Sequence, residues 1–206
     1  MRAPRSASTR LTAAERRRVI EEAATELFAA RGYVATTVDD IVRAAGVTKP
    51  MLYRHFESKQ ELCIALLERY RDELVGAPLA RFDPEAGDRH AQLVAMTEAW
   101  LEHARNHPAA TRLLFVPITG DPAVEAVQRE LHARQRATQT ALLREFAPAL
   151  SDTEAEPMGE VTRSGLAAMA LWWIEHPDVP REVPVSVIVR MAEGLIGSAE
   201  TTQVRR

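Results

Sequence analysis

Apolar residues recur every three or four positions along nearly the whole chain, and glycine or proline interrupts this pattern at intervals. Such spacing places apolar side chains on one face of an α-helix. Four valines at alternate positions between 183 and 189 have the periodicity of a strand instead. Pro184 suits a helix start there, and Val187 and Met191 continue at helical spacing. The sequence therefore predicts an all-α protein.

Two short helices separated by a glycine are predicted near the amino terminus. Thr37 and Asp40 have the spacing of a capping box, in which each side chain accepts a hydrogen bond from an amide at the helix start. Gly46 ends that helix, and Pro50 falls in the first turn of the next, where a missing amide has little consequence. With a first helix at 12–31, this is a helix-turn-helix pattern. Taken alone, the pattern fits plain helix packing equally well.

The second helix of this pair has an apolar side and a cationic side. Leu52 and Phe56, four residues apart, are expected to face the core, which directs Lys49 and Tyr53 outward. Residues 1–59 hold eleven Lys or Arg against seven Asp or Glu, whereas the other residues hold fifteen against twenty-two. The excess of positive charge at this end of the chain suits a polyanionic partner.

The residues around these helices resemble the DNA-binding domain of the TetR (tetracycline repressor) family. The resemblance covers about residues 16–70 and rests on four motifs, which are Thr36 to Ile41, Ala45 to Lys49, Leu52 to Phe56 and Ser58 to Leu62. It implies a three-helix domain followed by a larger helical ligand-binding and dimerisation domain. It also implies a sequence-specific transcription regulator, expected to be a repressor that a small molecule releases from a palindromic operator.

The family's pattern implies which residues contact double-stranded DNA. It implies that Thr37, Tyr53, His55 and Lys59 contact phosphates. It also implies that Thr48, Lys49, Pro50 and Met51 face base edges in the major groove. Apart from this pattern, the exposed Arg43 is expected to reach a phosphate or a guanine edge, and Arg54 points outward beside Lys49. Phosphate contacts fix position without reading sequence. The family often has a small pair such as Gly-Thr at 50–51, so Pro50 and Met51 are expected to meet a thymine methyl instead. For His55, a hydrogen bond to a nearby carbonyl is the alternative.

The chain is expected to divide into three segments. Residues 1–11, with Arg2, Arg5 and Arg10, form a flexible basic arm that lies either in a minor groove or in solvent. The DNA-binding domain spans residues 12–57. An effector-binding and dimerisation domain spans residues 58–206, and its first helix, from residue 58, connects the two. A later break between helices is expected at 147–157.

An effector pocket is expected in the larger domain. Gln135 and Thr138 interrupt an apolar stripe, and a buried polar group without a partner costs about 1 to 3 kcal/mol. A ligand is one candidate partner, and water or a neighbouring side chain is the other. The predicted pocket is largely apolar. Its candidate residues are Met96, Trp100, His103, Leu114, Phe115, Leu131, Gln135 and Thr138.

A two-fold interface is expected near the carboxy terminus, because residues 165–174 are apolar on all sides and need two packing partners. One side is expected to pack within its own subunit and the other, together with the last helix, on a second copy. The alternative is a central helix surrounded by one chain. The predicted interface residues are Leu166, Ala170, Leu171, Trp173, Ile174, Val187, Met191 and Leu195.

Other classes of protein are disfavoured by what the sequence does not contain. It has no run of about 20 apolar residues and no signal-peptide pattern, so a cytoplasmic protein without membrane contact is expected. The single Cys63 is expected to be a small buried hydrophobe. No metal-ligand spacing, nucleophile motif or phosphate loop is present, so no enzyme, cofactor or metal is expected. A DNA-binding regulator without an effector, either an activator or one that recruits proteins, remains the alternative.

Overall fold

A computed structural model of the chain describes residues 12–204, apart from residues 80, 84, 86 and 149. The predicted basic arm at 1–11 lies outside these residues. The described residues form α-helices joined by turns and loops, which confirms the all-α prediction. The helices, in chain order, are α1 (Ala13–Arg31), α2 (Val38–Ala45), α3 (Lys49–Tyr53), α4 (Lys59–Leu79), α5 (Arg89–Asn106), α6 (Pro108–Phe115), α7 (Pro122–Phe146), α8 (Asp152–Glu175) and α9 (Glu182–Val204).

The turn between α2 and α3 follows from its local sequence. The Thr37 side chain accepts from the Asp40 amide at 3.1 Å, and the Asp40 carboxylate accepts from the Thr37 amide at 3.1 Å, as the capping box requires. Gly46 has a φ of 65° in the left-handed region, which strains any residue with a Cβ. The regular part of α3 ends at Tyr53, and the Phe56 amide bonds to the Leu52 carbonyl at 3.0 Å.

A single hydrophobic core joins the amino-terminal helices to the larger domain. Ile20 of α1, Ile41 of α2 and Leu52 of α3 are fully buried, and they contact a cluster that continues along α4 into α5, α6 and α8. Helix α1 also packs on α6. The two domains therefore share apolar contacts. Because this core is closely packed, a movement of α4 or α6 is expected to displace α3.

Helices α5, α7, α8 and α9 pack on one another in the larger domain, and α7 and α8 have the most extensive contact. A Cβ at Gly159 of α8 would lie 2.1 Å from the hydroxyl of Thr140 and 3.1 Å from its backbone nitrogen on α7. Any larger residue at 159 would therefore force these helices apart. None of the helices in the described part of the chain is both long and apolar enough to cross a bilayer.

One helix boundary differs from the sequence prediction. The expected break at 147–157 is shorter, because α8 begins at Asp152 and continues through Pro157. The proline removes one hydrogen bond near the exposed start of α8, and the helix continues on either side of it. Cys63 is fully buried in α4, and burial raises the pKa of its thiol to about 12. Its surroundings are those of a small hydrophobe, as predicted.

Candidate DNA-binding surface and ligand cavity

Helix α3 has a buried side and an exposed side. Leu52 and Phe56 are at most 1% exposed and anchor the helix in the core. On the other side, the Tyr53 side chain is 49% exposed, and Lys49 and Arg54 are exposed beside it. This side therefore presents two cations and a phenol to solvent.

Two of the candidate cations are paired with carboxylates of α2. The Lys49 ammonium lies 2.9 Å from Asp39, and this hydrogen bond raises the pKa of Lys49. Arg43 lies 3.4 Å from Asp40. Both pairs are exposed, so each contributes little and can be exchanged for a phosphate or a base. The sequence prediction did not include Asp39, which holds Lys49 in place from the neighbouring helix.

Thr48 and His55 have polar groups that the protein itself does not use. Thr48 occupies the N-cap position of α3, but its hydroxyl accepts no hydrogen bond from the helix. The imidazole of His55 makes no hydrogen bond to any residue that the structure describes, so the alternative of a bond to a nearby carbonyl is not observed. Pro50 is exposed and Met51 half-buried on the same helix.

Thr37 and Lys59 are less available for phosphates than the sequence prediction assumed. The Thr37 hydroxyl donates to Asp40 at 2.6 Å, so it must leave that carboxylate to donate to DNA. The Lys59 ammonium donates to the carbonyls of Tyr33 and Thr36, both at 2.8 Å, and lies 4.1 Å from the centre of the Tyr33 ring. Burial lowers the pKa of Lys59. Only one of its three N–H groups is left for a phosphate.

Asp121, just before α7, connects that helix to the amino-terminal helices through Tyr33 and Gln60. Its carboxylate accepts hydrogen bonds from the Tyr33 hydroxyl at 2.8 Å and from the Gln60 amide at 3.0 Å. The same carboxylate accepts from the Ala123 and Val124 amides of α7. The bonds from Tyr33 and Gln60 hold the pKa of Asp121 below its usual value. We call this set the Asp121 junction.

A cavity of about 70 Å³ lies within the bundle of α5, α7, α8 and α9. Its walls come from parts of these helices that lie away from the Asp121 junction, near the carboxy-terminal end of α7. Most of the lining is aliphatic or aromatic. The lining residues are Leu93, Met96, Thr97, Trp100, Gln139, Leu142, Leu143, Phe146, Thr162, Leu166, Ile188, Met191, Ala192 and Ile196.

Only part of the predicted pocket lies on this cavity. Met96 and Trp100 line it, whereas His103, Leu114, Phe115, Leu131, Gln135 and Thr138 do not. The Phe115 ring stacks on His132 instead, with centroids 6.2 Å apart, and the Thr138 hydroxyl donates to the Arg134 carbonyl of its own helix at 3.1 Å. The cavity therefore lies nearer the end of α7 than the sequence prediction placed it. Thr97, Gln139 and Thr162 are its polar residues, and the sequence prediction missed all three.

Another polar residue on α7 has a purely structural environment. Gln128 is buried, and its amide nitrogen donates to the carbonyl of Val116 at 3.0 Å, while its oxygen accepts from the Ile118 amide at 3.0 Å. These bonds hold the segment that links α6 to α7 against α7 itself.

Among the described residues, no group of three or more His, Cys, Asp or Glu side chains is arranged to hold a metal ion.

The predicted interface residues are only partly on the surface. Ala170 and Trp173 are 1% and 2% exposed within one chain, and the Trp173 indole donates to the Val179 carbonyl at 2.9 Å, so neither can form an interface. Leu166 and Met191 line the cavity. The remaining predicted residues are half-buried or, for Val187, exposed, and they are Leu171, Ile174, Val187 and Leu195.

Four large apolar side chains are exposed on α8 and α9, and the sequence prediction named only one of them, Val187. On α8, Val161 is 51% and Trp172 38% exposed, and on α9 Val183 is 46% and Val187 37% exposed. Val161 and Trp172 are eleven residues apart, which is close to three turns and places them on one side of the helix. Large exposed apolar groups in such a row indicate a protein contact. We call these four residues the α8–α9 face.

The three amino-terminal helices, the left-handed Gly46 and the exposed cationic side of α3 define a helix-turn-helix protein. Residues 20–66 match the family model described as bacterial regulatory proteins, tetR family. This part of the chain is therefore a tetR-family domain, as its motifs predicted.

Comparisons with individual proteins agree with this assignment. The chain is 40% identical over 106 residues to the transcriptional activator FasR of Mycolicibacterium smegmatis, a match that covers 52% of this chain and 48% of FasR. It is 44% identical over 61 residues to the transcriptional repressor KstR2 of Rhodococcus jostii, covering 30% of each chain. The chain thus matches about half the length of FasR and about a third of KstR2.

Solved structures extend the likeness over nearly the whole fold. A TetR-like transcriptional regulator from Rhodococcus sp. RHA1 superposes with a TM-score of 0.74 at 23% identity, covering 89% of this chain and 96% of that one. PfmR, a TetR family transcriptional regulator from Thermus thermophilus, has a TM-score of 0.65 at 26% identity, covering 85% and 97%. The larger domain therefore has the family's fold, although its sequence differs widely.

Proposed function

We propose that this protein is a transcription regulator that binds double-stranded DNA in a sequence-specific manner through α3. The observation that carries the proposal is the arrangement of α3, which is anchored by Leu52 and Phe56 and exposes Lys49, Tyr53 and Arg54. A recognition helix enters the major groove with residues near its amino-terminal end against base edges. The proposed DNA contacts are Thr37, Arg43, Thr48, Lys49, Pro50, Met51, Tyr53, Arg54, His55 and Lys59.

The protein is proposed to act as a homodimer in the cytoplasm. Two recognition helices must lie roughly 34 to 36 Å apart to enter successive major grooves on one side of the DNA. The α8–α9 face supplies an apolar surface on which a second copy can pack by two-fold symmetry. The operator is accordingly expected to be palindromic.

Repression relieved by a small molecule is the mode of regulation that we favour. The cavity lies in α5, α7, α8 and α9, and α7 connects it to the DNA-binding domain through the Asp121 junction. A ligand that shifts α7 would change the position of Asp121 and therefore of α3. The coupling is reciprocal, so operator DNA should weaken ligand binding by the same factor. Activation is the second candidate, since FasR is named an activator and KstR2 a repressor.

Selection of bound DNA from a random library with the purified protein tests the proposal. A palindromic consensus with half-sites about one helical turn apart is expected. The control is the Lys49→Ala, Tyr53→Ala double variant, which changes only exposed side chains and should recover no consensus. Recovery of no consensus by the wild-type protein, or turnover of a substrate by it, would contradict the assignment. Transcription from a promoter carrying the consensus then separates repression from activation.

A further inference from the structure

The cavity between α5, α7, α8 and α9 has polar groups that point to the chemistry of its ligand. We propose that it binds an uncharged, largely apolar molecule with a single hydroxyl or carbonyl group, which Thr97 and Gln139 hold by hydrogen bonds. That this molecule would be the effector rests on the proposed function. Binding in the cavity does not depend on it.

The walls of the cavity exclude an ionised ligand. None of the fourteen residues that line it is charged, and eleven of them are aliphatic, aromatic or methionine. An isolated charge transferred into such surroundings loses its hydration without gaining a partner, which costs far more than a hydrogen bond returns. A carboxylate, a phosphate or an ammonium group is therefore disfavoured inside the cavity.

Thr97 and Gln139 supply the hydrogen-bonding groups. Thr97 is 7% exposed and lines the cavity, and its hydroxyl makes no hydrogen bond to any described residue. The half-buried Gln139 amide also lines the cavity and has no such bond within the described part of the chain. The hydrogen-bonding capacity of the Thr97 hydroxyl is therefore open to a ligand that enters the cavity.

The Thr162 hydroxyl already has a hydrogen-bond partner in the protein, whereas the Thr97 hydroxyl has none among the described residues. The Thr162 hydroxyl already donates to the Met158 carbonyl at 2.9 Å, so it can only accept from a ligand. Thr97 can donate or accept, and the Gln139 amide can do both. A hydroxyl or a ketone therefore finds a complementary partner.

The size of the cavity suggests a small or slender ligand. A volume of about 70 Å³ exceeds the roughly 10 to 15 Å³ that a single water molecule needs on this measure. Met96 of α5 and Met191 of α9 both line the cavity, and methionine side chains adapt their shape readily. A ligand with a short alkyl chain can thus be accommodated by rotation of these side chains.

Calorimetric titration of the full-length protein with octan-1-ol, octan-2-one and octanoate at pH 7 tests the proposal. These probes share a chain length and differ in the polar group. Octan-1-ol and octan-2-one are expected to bind at least tenfold more tightly than octanoate, because only octanoate brings a charge into the apolar cavity. Octanoate binding as tightly as the alcohol would overturn the proposal.

Two variants locate the binding site. Thr97→Val keeps the shape of the side chain and should weaken octan-1-ol binding about three- to tenfold, through the loss of one hydrogen bond. Thr138→Val is the matched control, because the Thr138 hydroxyl bonds to its own helix and lies off the cavity. Ala192→Leu should fill the cavity and abolish binding of all three probes. An unchanged affinity in Thr97→Val, or binding that survives in a folded Ala192→Leu protein, would overturn the proposal.

The same probes separate this proposal from the proposed function. Octan-1-ol binding that depends on Thr97, in a protein that selects no DNA consensus, would refute the regulator and support the cavity ligand. Conversely, a clear DNA consensus with octanoate as the favoured probe would support the regulator and refute the neutral ligand.

Discussion

The proposed DNA-binding surface and the proposed ligand cavity depend on residues at very different separations along the chain. The residues of α3 and its flanking turns that are proposed to contact DNA span only Thr48 to His55, and local features such as Gly46 decide which of them are exposed. The cavity takes its walls from four helices, between Leu93 and Ile196. A surface displayed by one short helix is encoded locally, whereas a cavity exists only after distant helices have packed.

The two regions also differ in their charge. In the DNA-binding domain Lys49 and Arg43 are held by Asp39 and Asp40, in exposed pairs that a phosphate can replace. The cavity has no charged residue on its walls. One region is therefore suited to a polyanion and the other to a neutral molecule, so the two do not share a binding site.

The largest expected effect separates two adjacent tryptophans of α8. Trp173 is 2% exposed, and Arg105 lies 4.3 Å from its ring centre, so Trp173→Ala should lower the free energy of unfolding by about 3 to 5 kcal/mol. Trp172 is 38% exposed, so Trp172→Ala should leave the fold nearly intact and weaken self-association instead. Urea denaturation at fixed protein concentration measures the free energy of unfolding, and sedimentation equilibrium measures self-association. Similar losses of stability in both variants would contradict the assignment of buried and exposed faces.

These tryptophans show which structural features the sequence alone could predict and which it could not. The helices, the capping boxes and the glycine turn were predictable because each depends on residues within four positions of one another. The apolar run at 165–174 was recognised, but its periodicity did not decide which tryptophan faces the core. Packing against α5 decides it, because Arg105 of that helix lies over the Trp173 ring.

The residues that line the cavity could likewise be predicted only in part from the sequence. Leu93, Met96, Thr97 and Trp100 have helical spacing, so one wall was visible as a stripe on α5. The sequence did not indicate which turns of α7 and α9 lie at the same level. The predicted pocket residues and the cavity lining therefore differ along α7. The carbonyl partners of Lys59 were unpredictable for a similar reason, because they lie 23 and 26 residues earlier in the chain.

The two lysines of the chain give the next largest effect. Lys59→Ala removes two hydrogen bonds from a charged donor to carbonyls, so it should lower the free energy of unfolding by about 1.5 to 3 kcal/mol. Lys49→Ala should leave stability unchanged, because its pair with Asp39 is exposed, and should alter the preferred DNA sequence. Thermal denaturation and DNA selection on both variants distinguish them. Loss of stability in Lys49→Ala, or an unaffected Lys59→Ala, would reverse their roles.

A smaller effect is expected where the two regions meet, at the Asp121 junction. The hydrogen bond from Tyr33, then that from Gln60, holds the folded pKa of Asp121 below its value of 3.8 in the unfolded chain. Such a group stabilises the fold above the unfolded pKa, and that stabilisation is lost as pH falls through the folded pKa. Asp121→Asn should therefore reduce the loss of thermal stability on acidification. Tyr33→Phe, which removes one donor, should give an intermediate result, and a slope equal to wild type in both would count against the junction.

The smallest effect is expected at the other end of the larger domain, where His90 of α5 lies 2.7 Å from Glu193 of α9. The hydrogen bond with Glu193 raises the pKa of His90 above 6.5, so its stabilisation is present below that pH and is lost as pH rises through the folded pKa. Both side chains are largely exposed, so His90→Gln should change the thermal midpoint only slightly, and salt should abolish the difference.

His90 lies one turn before Leu93, yet the cavity walls are uncharged. Octan-1-ol affinity should therefore stay constant across this titration, and a pH dependence that His90→Gln removes would show that the ion pair controls the spacing of α5 and α9.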